Sequence, residues 1–230
     1  MIRGLRPDRR VLPNGATVTV AEVHTVPAAA IHLLVKAGGV YEPPAQPGLA
    51  YFASRLLDRG TRTRTADQIG DLFDRRGAVL SVAANRHAVT LTCQCLAEDL
   101  PALVDAVVDV ASEASFPAAE VELRRREIIT AIQQDEDSPA TMAGEALMAV
   151  LYPGHPYGAR PRGDLAGVQA RDAADLRRFH ADRFRPDACS LVLVGDLDAA
   201  QAHDLAARAL GSWQGSSAPA PRLDTPPPAT

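Results

Sequence analysis

Two kinds of hydrophobic spacing alternate along the chain. Residues 16–23 and 29–37 alternate apolar and polar positions and are rich in Val, Ile, Thr and Ala, which predicts two strands; Asn14-Gly15 ahead of the first is a hairpin-type turn signal. From Pro47 the period lengthens to that of a helix. Leu49, Phe52, Ala53, Leu56 and Leu57 form one apolar stripe, with Tyr51, Ser54, Arg55 and Asp58 toward the other side and Gly60 as the stop. Thr65 is a good N-cap for a helix over 66–77 that turns Ile69, Leu72 and Phe73 inward. Strands over 79–84 and 88–96 follow, joined through Asn85, Arg86 and His87, a connection short enough to demand antiparallel pairing. Helices are then predicted over 97–114, 117–135 and 139–152, a turn cluster over 153–158, a helix over 170–184, a strand over 189–194 and a last helix over 199–210.

The stripes Leu100, Leu103, Val104, Val107, Val110 and Val121, Ile128, Ile129, Ile132 suit packing on one face of a sheet. Hairpins grouped with helices favour an α+β fold, an antiparallel or mixed β-sheet covered by helices. After Trp213 the composition turns to Pro, Ser and Ala. The expected organisation is therefore a folded domain over 1–213 and an extended linker over 214–230, leading to an absent second domain.

Composition narrows the function classes. With 230 residues, 47% hydrophobic, the chain can bury a sizeable core, and a net charge of −4 gives no nucleic-acid footprint. The run Arg124, Arg125, Arg126 points three ways on a helix and reads as a solvated face. Three cysteines, Cys93, Cys95 and Cys189, with no secretory signal before them, argue against a disulfide framework and for a cytoplasmic protein. Cys93 and Cys95 share a strand face and read as a buried pair. No apolar run reaches membrane-spanning length, so no membrane association is expected. No glycine-rich loop follows a strand, which disfavours nucleotide binding.

The stretch over 48–61, GLAYFASRLLDRGT, has the shape of a metallopeptidase zinc helix without its chemistry. Such a helix needs two histidines on one face and a glutamate that activates the metal-bound water. Here that face carries a phenol, a hydroxyl and a guanidinium, and a guanidinium offers only donors and a repelling charge.

Further landmarks stand in order along the chain: Gly48-Leu49-Ala50, Gly60-Thr61, Gly77, Glu98-Asp99-Leu100-Pro101, Phe116-Pro117, Gly154-His155-Pro156-Tyr157-Gly158, Phe184-Arg185-Pro186 and Val194-Gly195-Asp196. Over about 11–213 they resemble the N-terminal half of a subunit of the M16 metallopeptidase family, the pitrilysin and mitochondrial processing peptidase-like group. The resemblance implies the LuxS/MPP-like metallohydrolase fold. That family holds zinc through an inverted His-x-x-Glu-His motif and a glutamate on a distal helix. The resemblance lays the first histidine on Tyr51, the glutamate base on Ser54, the second histidine on Arg55, the distal ligand on Ala131 and its supporting glutamate on Arg124. With all five replaced, no catalytic, cofactor or metal residue is expected in this chain, and zinc is expected only in a partner.

The six histidines are scattered; His155 reads as structural, and His87 as a surface residue that could reach a peptide. Tyr51 and Arg55, four apart on one face, are expected to pair and fill the vacated metal position, with contact to a bound peptide as the alternative. The implied function is a non-catalytic subunit. It would pair with a zinc-bearing homologue or its own C-terminal half, enclose an extended peptide, and form a homodimer if isolated. A scaffold with no peptidase partner is the alternative. An active hydrolase built on Ser54 lacks a base in reach on the helix.

Overall fold

The computed structural model describes residues 6–216, 218 and 219. Most of the stretch over 214–230 expected to be a linker lies outside those residues. Its described part follows the chain preceding it: the Ala218 amide donates to the Asp182 carbonyl at 3.0 Å, and Arg183 donates to the carbonyls of Ala218 and Pro219 at 3.1 Å.

Six strands, β1 (Asp8–Val11), β2 (Thr17–Glu22), β3 (Ala28–Val35), β4 (Val79–Ala84), β5 (Val89–Leu96) and β6 (Cys189–Gly195), form one mixed sheet in the order β1-β2-β6-β3-β5-β4. Only the β2–β6 pair is parallel. The late strand β6 slots between β2 and β3, pairing Ile31 with Leu193 and Val20 with Leu193 on either side. The chain from residue 8 to residue 195 thus closes into a single sheet.

Eight helices accompany it among the described residues: α1 (Leu49–Ser54), α2 (Ala66–Asp74), α3 (Leu100–Ser112), α4 (Ala118–Glu136), α5 (Pro139–Leu151), α6 (Leu165–Ala170), α7 (Ala173–Arg183) and α8 (Ala199–Gly211). Alternation in the strands decides the layering. Val18, Ile31, Leu33, Leu91, Cys93, Leu191 and Leu193 are buried on one face, against which α3 and α8 pack. Thr19, Ala30, His32, Thr92 and Val192 on the other face are half-exposed. Cys93 and Cys95 lie on the covered face as free thiols.

Three boundaries differ from the sequence pattern, each for a local reason. The first helix stops at Ser54, where the pattern ran on to Gly60. Leu56 leaves helical geometry at φ −119°, and a tight turn over Leu57–Arg59 lets Leu56 and Leu57 both reach full burial. The helix expected over 170–184 is α7, which begins only at Ala173, and α6, just before it, has no counterpart in the sequence pattern. Arg171 is extended at ψ 136°, and Asp172 restarts the helix by accepting the amides of Ala174 and Asp175 at 2.8 and 2.9 Å. Strand β1, with every residue exposed, shows no apolar alternation at all. It exists because the Asn14-Gly15 turn folds it onto β2, Gly15 taking φ 89° and Asn14 accepting the Ala16 amide.

Candidate functional site

The candidate site lies where α1, α4 and α5 meet the end of β4. α1 is six residues long and begins at Gly48, whose φ of 86° and lack of a Cβ are both required: a Cβ there would stand 2.4 Å from the Arg162 carbonyl. Gly163 makes the reciprocal approach, its own Cβ position lying 2.5 Å from the Pro47 carbonyl at φ 76°. These two glycines pin the loop carrying Arg160 and Arg162 against the start of α1. Glu42 supplies the missing cap, accepting the amides of Gly48 at 3.0 Å and Ala50 at 2.6 Å. Burial nevertheless raises the Glu42 carboxyl to about 7, against the opposing pull of those two amides and of Arg171.

The five positions singled out from the sequence do not form one cluster. Tyr51 is half-buried with the Arg162 guanidinium over its ring, 5.7 Å from the centroid. Ser54 is fully buried, contrary to its expected place on the polar side, and its hydroxyl donates to the Tyr51 carbonyl at 2.7 Å. Arg55 ends the helix exposed, with no side-chain partner among the described residues. The expected Tyr51–Arg55 pair is therefore replaced by Tyr51–Arg162, because the helix ends at Ser54 and releases Arg55 to solvent. On α4, Arg124 pairs with Glu127 on its own helix, and Ala131 is half-buried. One turn beyond Ala131, Asp135 pairs with Arg162.

A single guanidinium thus bridges α1, through Tyr51, and α4, through Asp135. Among the described residues no three His, Cys, Asp or Glu side chains gather as metal ligands. The donor set at these positions, a phenol under a guanidinium, a buried hydroxyl committed to a backbone carbonyl, two guanidiniums and a methyl group, does not fit a zinc ion.

Beside this bridge is an open cleft of about 600 Å³, lined by Arg86, Arg160 and Arg162 and by Ala140, Gly144 and Met148 of α5. Arg160 pairs with Glu145 at 2.8 Å and Glu136 at 3.5 Å. Arg86 donates to the Tyr157 carbonyl at 2.9 Å and lies 5.8 Å from that ring's centroid. His155 accepts the Tyr157 amide at 3.1 Å, in keeping with a structural role, and His87 is exposed and bonded to the Tyr157 hydroxyl at 2.7 Å. Sequence reasoning missed Glu42, Arg86, Asp135, Glu145, Arg160 and Arg162. The arginines flanking the Gly154–Gly158 turn cluster were the available signal for two of them.

Residues 17–163 match the profile described as "Insulinase (Peptidase family M16)", and residues 172–230 match "Peptidase M16 inactive domain". The chain is 29% identical to an uncharacterised zinc protease of Mycobacterium bovis over 84% of its own length and 44% of that protein's. It is 24% identical to mitochondrial cytochrome b-c1 complex subunit 1 of Bos taurus, over 91% of its length and 44% of the relative's. The chain therefore spans less than half the length of these relatives. Among solved structures, a peptidase M16 inactive domain from Pseudomonas fluorescens superimposes with a TM-score of 0.90 at 23% identity, covering 97% of this chain and 54% of that one. With the fold shared and a family profile matched over most of its length, the chain belongs to peptidase family M16.

Proposed function

We propose that this chain is a non-catalytic, half-sized M16 unit. It pairs with a zinc-bearing homologue, or with its own C-terminal half, and helps enclose and position an extended peptide for cleavage by the partner's zinc. The observation that carries this reading is the Arg162 bridge between Tyr51 on α1 and Asp135 on α4. In the family resemblance those two helices hold the zinc ligands; here a fixed cation spans them. Ser54 offers no replacement chemistry, since its hydroxyl is buried and committed to the Tyr51 carbonyl.

Two features support peptide holding. Among the described residues β4 pairs on one side only, with β5, leaving its other edge open, and its last residue, Ala84, lines the cleft. The half-exposed sheet face offers a surface for the partner half, or for a second copy if the chain stands alone. The reading also takes the protein as cytoplasmic, in line with three buried free thiols; burial holds the Cys189 thiol up to about 12, where it stays unreactive.

The second reading, a scaffold on a degenerate peptidase fold, differs in one respect: it needs no peptidase partner. The relative named as a cytochrome b-c1 complex subunit is the observation that keeps it in view. Affinity capture of the protein from its source cells, with mass spectrometry, separates the two. Recovery of a homologue with an intact His-x-x-Glu-His helix is expected. Recovery of the chain with only itself or unrelated proteins would favour the scaffold.

A further inference from the structure

The cleft holds three arginines, and their partners differ. Arg162 is matched by Asp135, and Arg160 by Glu145 and Glu136. Arg86 has no carboxylate within ion-pair distance among the described residues. It is also held from two directions, by the Tyr157 carbonyl and the Tyr157 ring, and its Nε is buried without a hydrogen-bond partner. A guanidinium carries five N–H donors, and the Tyr157 carbonyl takes one. A charge positioned in this way, unneutralised in a cleft, has already lost much of the side-chain entropy that anion binding would otherwise cost.

Its place in the fold says what kind of anion. Arg86 lies two residues beyond the end of β4, on the turn into β5, and lines the same cleft as Ala84. A strand added along the free edge of β4 therefore runs beside the guanidinium. Ala140, Gly144 and Met148 of α5 line the same cleft and offer it apolar surface. We infer that the cleft selects extended peptides bearing a carboxylate that seats on Arg86, with an apolar neighbour against α5. The carboxylate comes from an Asp or Glu side chain or from a peptide C-terminus; both present the same bidentate acceptor. This rests on the peptide-holding reading and adds a substrate preference to it.

The test is fluorescence anisotropy with short labelled peptides of Val and Thr carrying one Glu at successive positions, their Gln twins, and free or amidated C-termini. At low salt the best Glu peptide should bind roughly tenfold or more tightly than its Gln twin, the scale of a charge-assisted hydrogen bond. That advantage should vanish in Arg86→Gln and survive in part in Arg86→Lys. If Arg86 only braces Tyr157, Arg86→Gln weakens Glu and Gln peptides alike, and the inference fails. Sensitivity to C-terminal amidation instead of to Glu assigns the seat to a terminal carboxylate. Equal binding of all peptides overturns the acid preference and leaves peptide holding intact. Binding of none of them, with both variants folded by circular dichroism, overturns both.

Discussion

Helices α3 and α5 are the same length and meet opposite fates. α3 buries Leu100, Leu103, Val104, Ala106, Val107, Val108, Val110 and Ala111 against the sheet and α8. α5 buries none of its residues, and it leaves Leu147 56% and Val150 77% exposed. Stability is concentrated where the sheet meets α3 and α8. α5 and the 152–163 turn are instead held to α4 and α1 largely by ion pairs and close backbone contacts, while α4 itself buries Val121, Ile128 and Ile132. The positions where the family resemblance lays the metal site, Tyr51, Ser54, Arg55, Arg124 and Ala131, fall on α4 and on α1 with its C-terminal end.

Breaking the covered region should cost most. Leu103→Ala, at a fully buried position, should lower unfolding stability by about 3 kcal/mol in urea denaturation. A loss below about 1 kcal/mol would mean that α3 is not the keystone of the core.

The two regions should also respond to pH with opposite sign. His180, buried beside α3 with Nε2 against the Ala111 carbonyl at 2.8 Å, is lowered by burial to about 4. The unfolded chain takes up that proton near the ordinary histidine value, so stability is lost as pH falls from about 6.5 to 4, on the order of 3 kcal/mol in all. Glu42, at the cleft, is raised to about 7, so its contribution is present at low pH and is lost as pH rises from about 4.5 to 7. Over the shared window the two slopes oppose. Glu42→Gln should therefore steepen the acid loss of the urea midpoint below about pH 6.5, and an unchanged profile would remove Glu42 from the ledger.

Gly163→Ala tests how the cleft is held. Its Cβ would meet the Pro47 carbonyl at 2.5 Å in a left-handed backbone, so a loss of about 2 kcal/mol is expected, with a displaced Arg162. The Tyr51 fluorescence environment should shift with it; a variant as stable as the wild type would show that the two glycines do not clamp the loop. Thr65→Ala, which removes the hydroxyl that accepts the Gln68 amide in the α2 capping box and leaves the backbone arm in place, should cost about 1 kcal/mol by thermal melting. At the other extreme, Leu147→Ala on α5 should change stability by less than about 0.5 kcal/mol. A larger loss would mean that this face is covered, and would point to self-association detectable by analytical ultracentrifugation.

Legibility in the sequence divides along the same line. β3, β5 and β6, the β4–β5 hairpin, α3 and the Thr65 cap could be read directly, because each depends on period and capping within its own segment. β1 could not, since Asp8, Arg9 and Arg10 carry no apolar alternation and the strand exists only through its pairing with β2. α6 could not be read either, because six residues are too few to show a helical period and its cue was a single capping aspartate, Asp164. At the site, the motif positions on α1 and α4 came from the family resemblance. The partner of Tyr51 could not be read, because Arg162 arrives through the Gly48–Gly163 approach, a contact between segments far apart in the chain.

The most direct measurement is peptide cleavage, with zinc quantified in the same samples, for the isolated chain and for the complex captured with its partner. The account predicts no stoichiometric zinc and no turnover in the isolated chain. It predicts chelator-sensitive cleavage in the complex, with zinc held by the partner. Tight zinc at one per chain with chelator-sensitive cleavage by the isolated protein would contradict it.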